Sequence, residues 1–199
     1  MGRSVRIPKE KLLQTGLEMI IKDGYSSINI TSLAREAGCS TQPVAWHFGN
    51  MENFRKELAA YAQNYVNEKM RSDTKDPLMS FLHTGKVIID MAFDEPKLVS
   101  FIRLSESGTE FSEGTGFVFD DKRNAALASD IARKFGIPES AAAGFMQAAM
   151  VYTHGLSTLI STGLLSCEKS GAYKMLTDFG VVYLKGLGVP ESIAEKAYD

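Results

Sequence analysis

Along nearly the whole of this chain apolar residues recur every three to four positions, and no segment sustains an alternation of period two. That spacing is the strongest constraint on the fold, because it draws one apolar stripe on helix after helix and leaves no half-buried strand. Leu12, Leu13, Gly16, Leu17, Ile20 and Ile21 form the first stripe. Pro8 precedes it and suits a first helical turn, where a missing N–H costs nothing. Gly24 ends it. Asn29 is placed to cap a short second helix over 30–37, with Leu33 and Ala34 facing inward. Gly38 permits a tight turn, Ser40 is placed to cap a third helix, and Pro43 falls at about its third position. Asn50 caps a long fourth helix that runs to about Arg71, with Phe54, Leu58, Tyr61 and Tyr65 on one side.

The polar stretch SDTKDP, 72–77, breaks the pattern and marks a domain boundary. Asp76-Pro77 and Glu95-Pro96 are helix-start signatures, followed by stripes that include Leu78, Phe81, Leu82 and Ile88, then Leu98, Phe101 and Ile102. SESGTEFSEGTG, 105–116, is the longest loop candidate. Helical patterns resume over 117–135, 138–161 and 170–185, with a short tail helix after Pro190. The expected class is all-α, with about nine or ten helices and no internal repeat.

Charge is divided unevenly. Through Lys75 there are 11 Lys and Arg against 8 Asp and Glu, whereas the remainder holds 11 against 16. A mildly basic front and an acidic back suit different partners. Cys39 and Cys167 are too few and too far apart for a disulfide framework or a zinc site, and reduced thiols in a cytoplasm are the expectation. MGRSVRIPKEKLLQ lacks the apolar core of a signal peptide. From Ser140 to Cys167 there is no Asp, Glu, Lys or Arg. That segment still carries Gln147, Thr153, His154, Ser157, Thr158, Ser161 and Thr162, each costly in hydrocarbon, so the reading is a buried helix whose polar groups face a cavity or another helix.

Between Gly38 and Asn53 the chain reads GCSTQPVAWHFGNMEN, with the lone Trp beside one of three His and no Lys or Arg. Three helices of about 16, 8 and 7 residues, the last two joined across a Gly turn, are what a helix-turn-helix requires. Small polar residues at the head of the third helix, Ser40, Thr41 and Gln42, could enter a major groove, and helix N-termini offer N–H groups to phosphate. No nucleophile stands near a base at meaningful spacing, and no phosphate loop is present. His47, His83 and His154 have no metal-ligand spacing.

GLEMIIKDGYSSINITSLAREAGCSTQPVAWHFGNMENFRKEL resembles the DNA-binding domain of the TetR family of transcriptional repressors. The resemblance is carried by Gly24-Tyr25, Leu33-Ala34, Ala37-Gly38, Ser40, Trp46-His47-Phe48 and Gly49-Asn50. It covers about 45 residues in the family's order; the rest is matched only by size and helical content. What the resemblance implies is a cytoplasmic homodimer that binds a double-stranded DNA operator through two N-terminal heads. The implied division is a helix-turn-helix DNA-binding domain over 1–49, a connecting helix over 50–72, and an effector-binding and dimerisation domain over 73–199. Asn29 stands where the family often has a Thr near a phosphate, with Thr31 beside it. Thr41 and Gln42 head the reading helix, and Gln can bond the N6 and N7 edge of adenine. Trp46 and His47 match positions that pack on the sugar-phosphate backbone, and Ser40, Ala45 and Asn50 complete the candidate contacts.

Three departures stand out: Ala45 replaces a usual Tyr, Thr41 stands where Lys is frequent, and Met51 replaces a common Lys. Each removes a backbone or phosphate contact, and the two missing cations make the expected salt dependence shallower, by a slope of about 0.9 per lost phosphate contact. Arg3, Arg6, Lys9 and Lys11, in or beside the N-terminus, are placed to compensate by reaching the minor groove.

Phe81, Met91, Phe101, Phe145, Met146, Met150 and Tyr152 are candidates to line an effector pocket, with His154 as its polar group. Core packing is the competing reading for each. The density of Phe and Met favours a small apolar or aromatic effector. Gly144, Ala148 and Ala149 on one helix, with Tyr173, Leu176, Phe179 and Tyr183 on the last long one, would permit a close seam between helices, within or between copies. No cofactor and no metal are implied, and no catalytic residue stands out. The alternative function is a small-molecule carrier or helical enzyme whose N-terminal bundle is only structural.

Overall fold

A computed structural model describes residues 7–103 and 121–198. Among them are ten α-helices, one short 3-10 turn and no strand, the all-α class that the periodicity dictates. The helices are α1 (Lys9–Asp23), α2 (Ile30–Glu36), α3 (Gln42–Phe48), α4 (Met51–Lys69), α5 (Pro77–Asp94), α6 (Pro96–Arg103), α7 (Asp121–Phe135), α8 (Glu139–Ser161), α9 (Lys169–Gly186) and α10 (Glu191–Lys196). The loop expected over 105–116, the start of the helical pattern at 117, and Arg3 and Arg6 lie outside the described residues.

These helices belong to two compact units. The first holds α1–α4 together with α6. Its centre is made by the stripes of three helices: Leu12 and Ile20 of α1, Phe54 and Leu58 of α4, and Leu98 and Phe101 of α6, all fully buried. The stripe of α1 can lie against α4 because Gly16 stands at the crossing. A Cβ there would come within 2.8 Å of Phe54 Cζ and 3.2 Å of the Leu58 methyls. Gly24 ends α1 with φ +87°, a conformation that suits glycine, and its N–H returns to the Ile20 carbonyl at 2.9 Å.

α6 is drawn onto this unit by polar ties as well as by its apolar face. Glu95, just ahead of it and largely buried, accepts through Oε1 from the Tyr65 hydroxyl and from Lys69 Nζ, each at 2.6 Å. Burial works to lower the Lys69 ammonium, but the hydrogen bonds to Glu95 and Tyr65 outweigh it and hold the group above its ordinary value. For the Tyr65 phenol, burial and the Glu95 bond both push upward. Lys97 Nζ donates to the Lys22 carbonyl at 2.7 Å, and Phe101 stacks on Tyr25 with centroids 5.2 Å apart.

The second unit holds α5 and α7–α10. α8 packs against α5, α7 and α9, and α10 folds back on α9. One cluster joins Leu78, Ile131, Phe145, Met146 and Leu184; another joins Ile89, Ala92, Leu156, Ile160 and Ala172. The uncharged segment forms α8 as expected, but its hydroxyls are satisfied differently from the expectation of a cavity or a facing helix. Thr153 bonds the Ala149 carbonyl at 2.7 Å, and Ser157 and Thr158 bond the His154 carbonyl at 3.0 and 2.9 Å. Bonding back onto the preceding turn lets a hydroxyl be buried without a partner helix. No helix among the described residues is long and apolar enough to cross a membrane.

Three local expectations are corrected. Ser40 does not cap α3: the N-cap position is Thr41, in helical conformation and with no side-chain cap bond, so Pro43 falls at the second helical position. α4 ends at Lys69, before Arg71. On its buried side Ala62 and Val66 take the inner places, with Tyr61 and Tyr65 at the margin.

Candidate nucleic-acid interface

The head of the first unit is built from caps and one glycine turn. Asn29 Oδ1 accepts the N–H groups of Thr31 and Ser32 at 3.0 and 2.9 Å, while Ser32 Oγ accepts the Asn29 N–H at 2.9 Å. That reciprocal box fixes where α2 starts. Leu33 and Ala34 are buried, and the helix ends into Gly38 at φ +69°, whose N–H meets the Arg35 carbonyl at 3.1 Å. The Cys39 N–H returns to the Ala34 carbonyl at 2.9 Å. Three residues, Cys39, Ser40 and Thr41, then separate the turn glycine from the start of α3 at Gln42.

α3 is pinned by a few contacts. Val44 and Phe48 are buried, and Phe48 meets Phe54 edge-on with centroids 5.0 Å apart. Asn53 Nδ2 donates to the Phe48 carbonyl at 3.0 Å, and Asn50 Oδ1 accepts the Asn53 N–H at 2.8 Å to start α4. His47 is half-buried, with Nε2 2.9 Å from the Ile7 carbonyl. The carbonyl can only accept, so Nε2 carries the proton in this contact.

With that face anchored, Ser40, Thr41, Gln42, Ala45 and Trp46 are exposed together on the remaining one. Asn29, Thr31 and Asn50 are exposed as well. Trp46 is 64% exposed, an unusual position for an indole in a folded unit. Cations near the head are mostly engaged. Lys9 pairs with Glu57 at 2.6 Å, Lys56 with Glu52 at 3.1 Å, and the Arg55 guanidinium lies 4.4 Å over the Tyr25 ring. Sequence reasoning missed the tie from His47 to Ile7, the Asn53 brace and the exposed Arg35 on α2. Only the Asn29–Ser32 spacing carried a usable signal for the capping box.

The eight effector candidates divide between the two units and, within the second, between clusters. Phe81, Phe145, Met146 and Met150 share the first cluster of the second unit. Met91 is buried on α5, and His154 is half-buried on α8. Phe101 belongs to the first unit, against Tyr25. Tyr152 packs with the other cluster and stacks on Phe179 at 4.3 Å. It also helps line an open groove of about 370 Å³ with Met175, Asp178, Phe179, Val182 and Tyr183. Val182 at that groove is an exposed apolar side chain, as are Val151 and Leu159 on α8. No group of three or more metal-ligating side chains occurs among the described residues.

No family model matches this chain, and no curated protein does. Among solved structures it is similar to a TetR variant from Acinetobacter baumannii AYE, crystallised in complex with minocycline. The two share 14% identity over 97% of this chain and 99% of the other, with a TM-score of 0.47. That degree of likeness assigns neither ligand nor partner to this chain.

Proposed function

We propose that this chain is a homodimeric, ligand-responsive, DNA-binding transcriptional regulator of the cytoplasm. It acts as a repressor released from a palindromic operator by a small apolar or aromatic effector. The observation that carries the reading is the head of α3, where Thr41, Gln42 and Trp46 are exposed while Val44 and Phe48 anchor the opposite face. Gln42 is suited to bond an adenine edge, which is worth about 1–3 kcal/mol of discrimination. Trp46 supplies a flat apolar surface for the sugar-phosphate backbone, and Asn29, Thr31, Ser40 and Asn50 supply polar contacts around it.

The second unit supplies the effector and dimerisation functions in this reading. Phe81, Phe145, Met146 and Met150 cluster where an apolar effector would be held, and the α8–α9 groove suits a second copy. Effector binding favours a dimer whose heads no longer match half-sites one helical turn apart. Catalysis has no part in it.

Selection from random duplex DNA at low salt tests the proposal. A short palindrome is expected to be enriched, and Gln42→Ala is expected to relax the preference at one position per half-site. Trp46→Ala is expected to weaken every duplex alike without lowering the unfolding midpoint. Failure to enrich any duplex would reject the regulator and leave the carrier or helical enzyme in its place.

A further inference from the structure

α9 carries a glycine whose value is space. Gly180 is buried, and its backbone does not adopt the positive φ that favours glycine. Glycine inside a helix costs about 1 kcal/mol relative to alanine, so this position calls for a reason. The reason is Tyr198. A Cβ built on Gly180 would lie 1.6 Å from the Tyr198 hydroxyl oxygen, 2.3 Å from Cζ and 3.0 Å from Cε2. The phenol rests on the bare helix backbone. Gly171 and Gly186, on the same helix, would meet nothing within 4 Å.

The strap that delivers this ring is short. It turns back at Gly188, where the Val189 N–H bonds the Leu184 carbonyl at 3.1 Å, then forms α10 over six residues. Ala194 and Ala197 are its buried anchors, and Lys185 pairs with Glu191 at its start. A helix this short does not hold itself in water, so its order depends on docking. Burial alone pushes the Tyr198 phenol up to about 12, the mark of apolar surroundings. Tyr198 also packs against the cluster that contains Phe81, Phe145, Met146 and Met150.

We propose that the space over Gly180 is a binding site for a small uncharged aromatic ring, filled in cis by Tyr198, and that the strap over 190–198 is its releasable plug. A ligand ring takes the seat when the strap leaves, and the apolar cluster beside it becomes accessible. Regulatory use of the socket rests on the second unit being an effector domain; the socket itself is independent of DNA binding.

The test therefore uses the full chain without DNA and p-cresol, the free analogue of the tyrosine side chain, as probe. Tyr198→Ala is expected to bind p-cresol saturably in calorimetry and to gain thermal stability from it. Adding Gly180→Ala is expected to weaken that binding by at least about tenfold, because the new methyl fills the seat. 4-Hydroxybenzoate, a charged relative, is expected not to bind. In the unsubstituted chain the tethered ring competes at an effective concentration on the order of millimolar, so p-cresol in that range should speed amide exchange across 191–198. Gly180→Ala alone should speed it with no ligand, which keeps the test open should Tyr198→Ala fail to fold. The proposal is overturned by absent binding in folded Tyr198→Ala, by equal affinity in the double variant, or by unchanged exchange across 191–198 in either experiment. Each of these outcomes leaves the DNA-binding reading untouched.

Discussion

Asp76 shows how one side chain can set both a helix start and a pH dependence. Its Oδ1 accepts the N–H groups of Leu78 and Met79 at 2.9 and 3.2 Å, and its Oδ2 takes Lys134 Nζ at 2.9 Å. The Lys134 hydrogen bond first, then the Met79 N–H, holds the carboxyl below its ordinary value. A carboxyl depressed in the folded state contributes stability above its unfolded pKa and loses it as pH falls through the folded one. Asp76→Asn keeps a capping oxygen but removes the charge. Its urea midpoint is expected to fall less than that of the parent as pH drops below about 4. The side chain is 41% exposed, so the effect is small. Parallel midpoint-versus-pH curves for the two proteins would show that the ion pair contributes nothing. The Asn29 and Asn50 caps were legible at this same scale, because a cap acts within three residues of its own position. The His47 tie to Ile7 was not, since it spans 40 residues.

At the scale of the element, the α1–α4 crossing decides whether α3 is held. Phe54 is fully buried beneath Gly16 and in turn carries Phe48 of α3 on its edge. Gly16→Val would push branched methyls against a fully buried ring that must shift to admit them. The expected cost is about 1–3 kcal/mol, read as a lower midpoint in urea denaturation at constant slope. A Val variant as stable as the parent would mean that the helices separate freely, and the rigidity of α3 would need another source. Helix existence was plain from periodicity, because each stripe advertises its own buried face. Helix ends were less so. Ser40 has the chemistry of a cap, yet the turn after Gly38 runs to Thr41 before the backbone becomes helical.

On the molecular scale, the exposed apolar face of α8 and α9 is the feature most in need of a partner. Val182 is 68% exposed at the edge of the groove formed with Tyr152, Met175 and Phe179. A change at so exposed a site should alter the stability of a single copy by no more than about 0.5 kcal/mol. If the proposed dimer pairs through this face, Val182→Glu is therefore expected to yield monomers in sedimentation velocity and an unfolding midpoint that no longer rises with protein concentration. Palindromic duplexes should then lose most of their affinity while half-sites keep theirs. A variant that sediments as the parent does would show that this face is not the seam of the proposed dimer.

What the sequence determined by itself is the set of local decisions: the all-helical class, the order of the helices, the caps at Asn29 and Asn50, and the helix start at Asp76-Pro77. It also marked the polar residues at the head of α3. These depend on periodicity and on bonds that close within one turn. Tertiary structure alone decided which apolar residues share a cluster. Phe101 and Phe145 look alike along the chain, yet one stacks on Tyr25 in the first unit and the other lies in the core of the second. It also decided that Gly180 is a seat for Tyr198 and Gly171 is not. The physical reason is common to both cases. A side chain's propensity belongs to its own neighbourhood in sequence, whereas the space that it fills is made by residues that arrive from elsewhere.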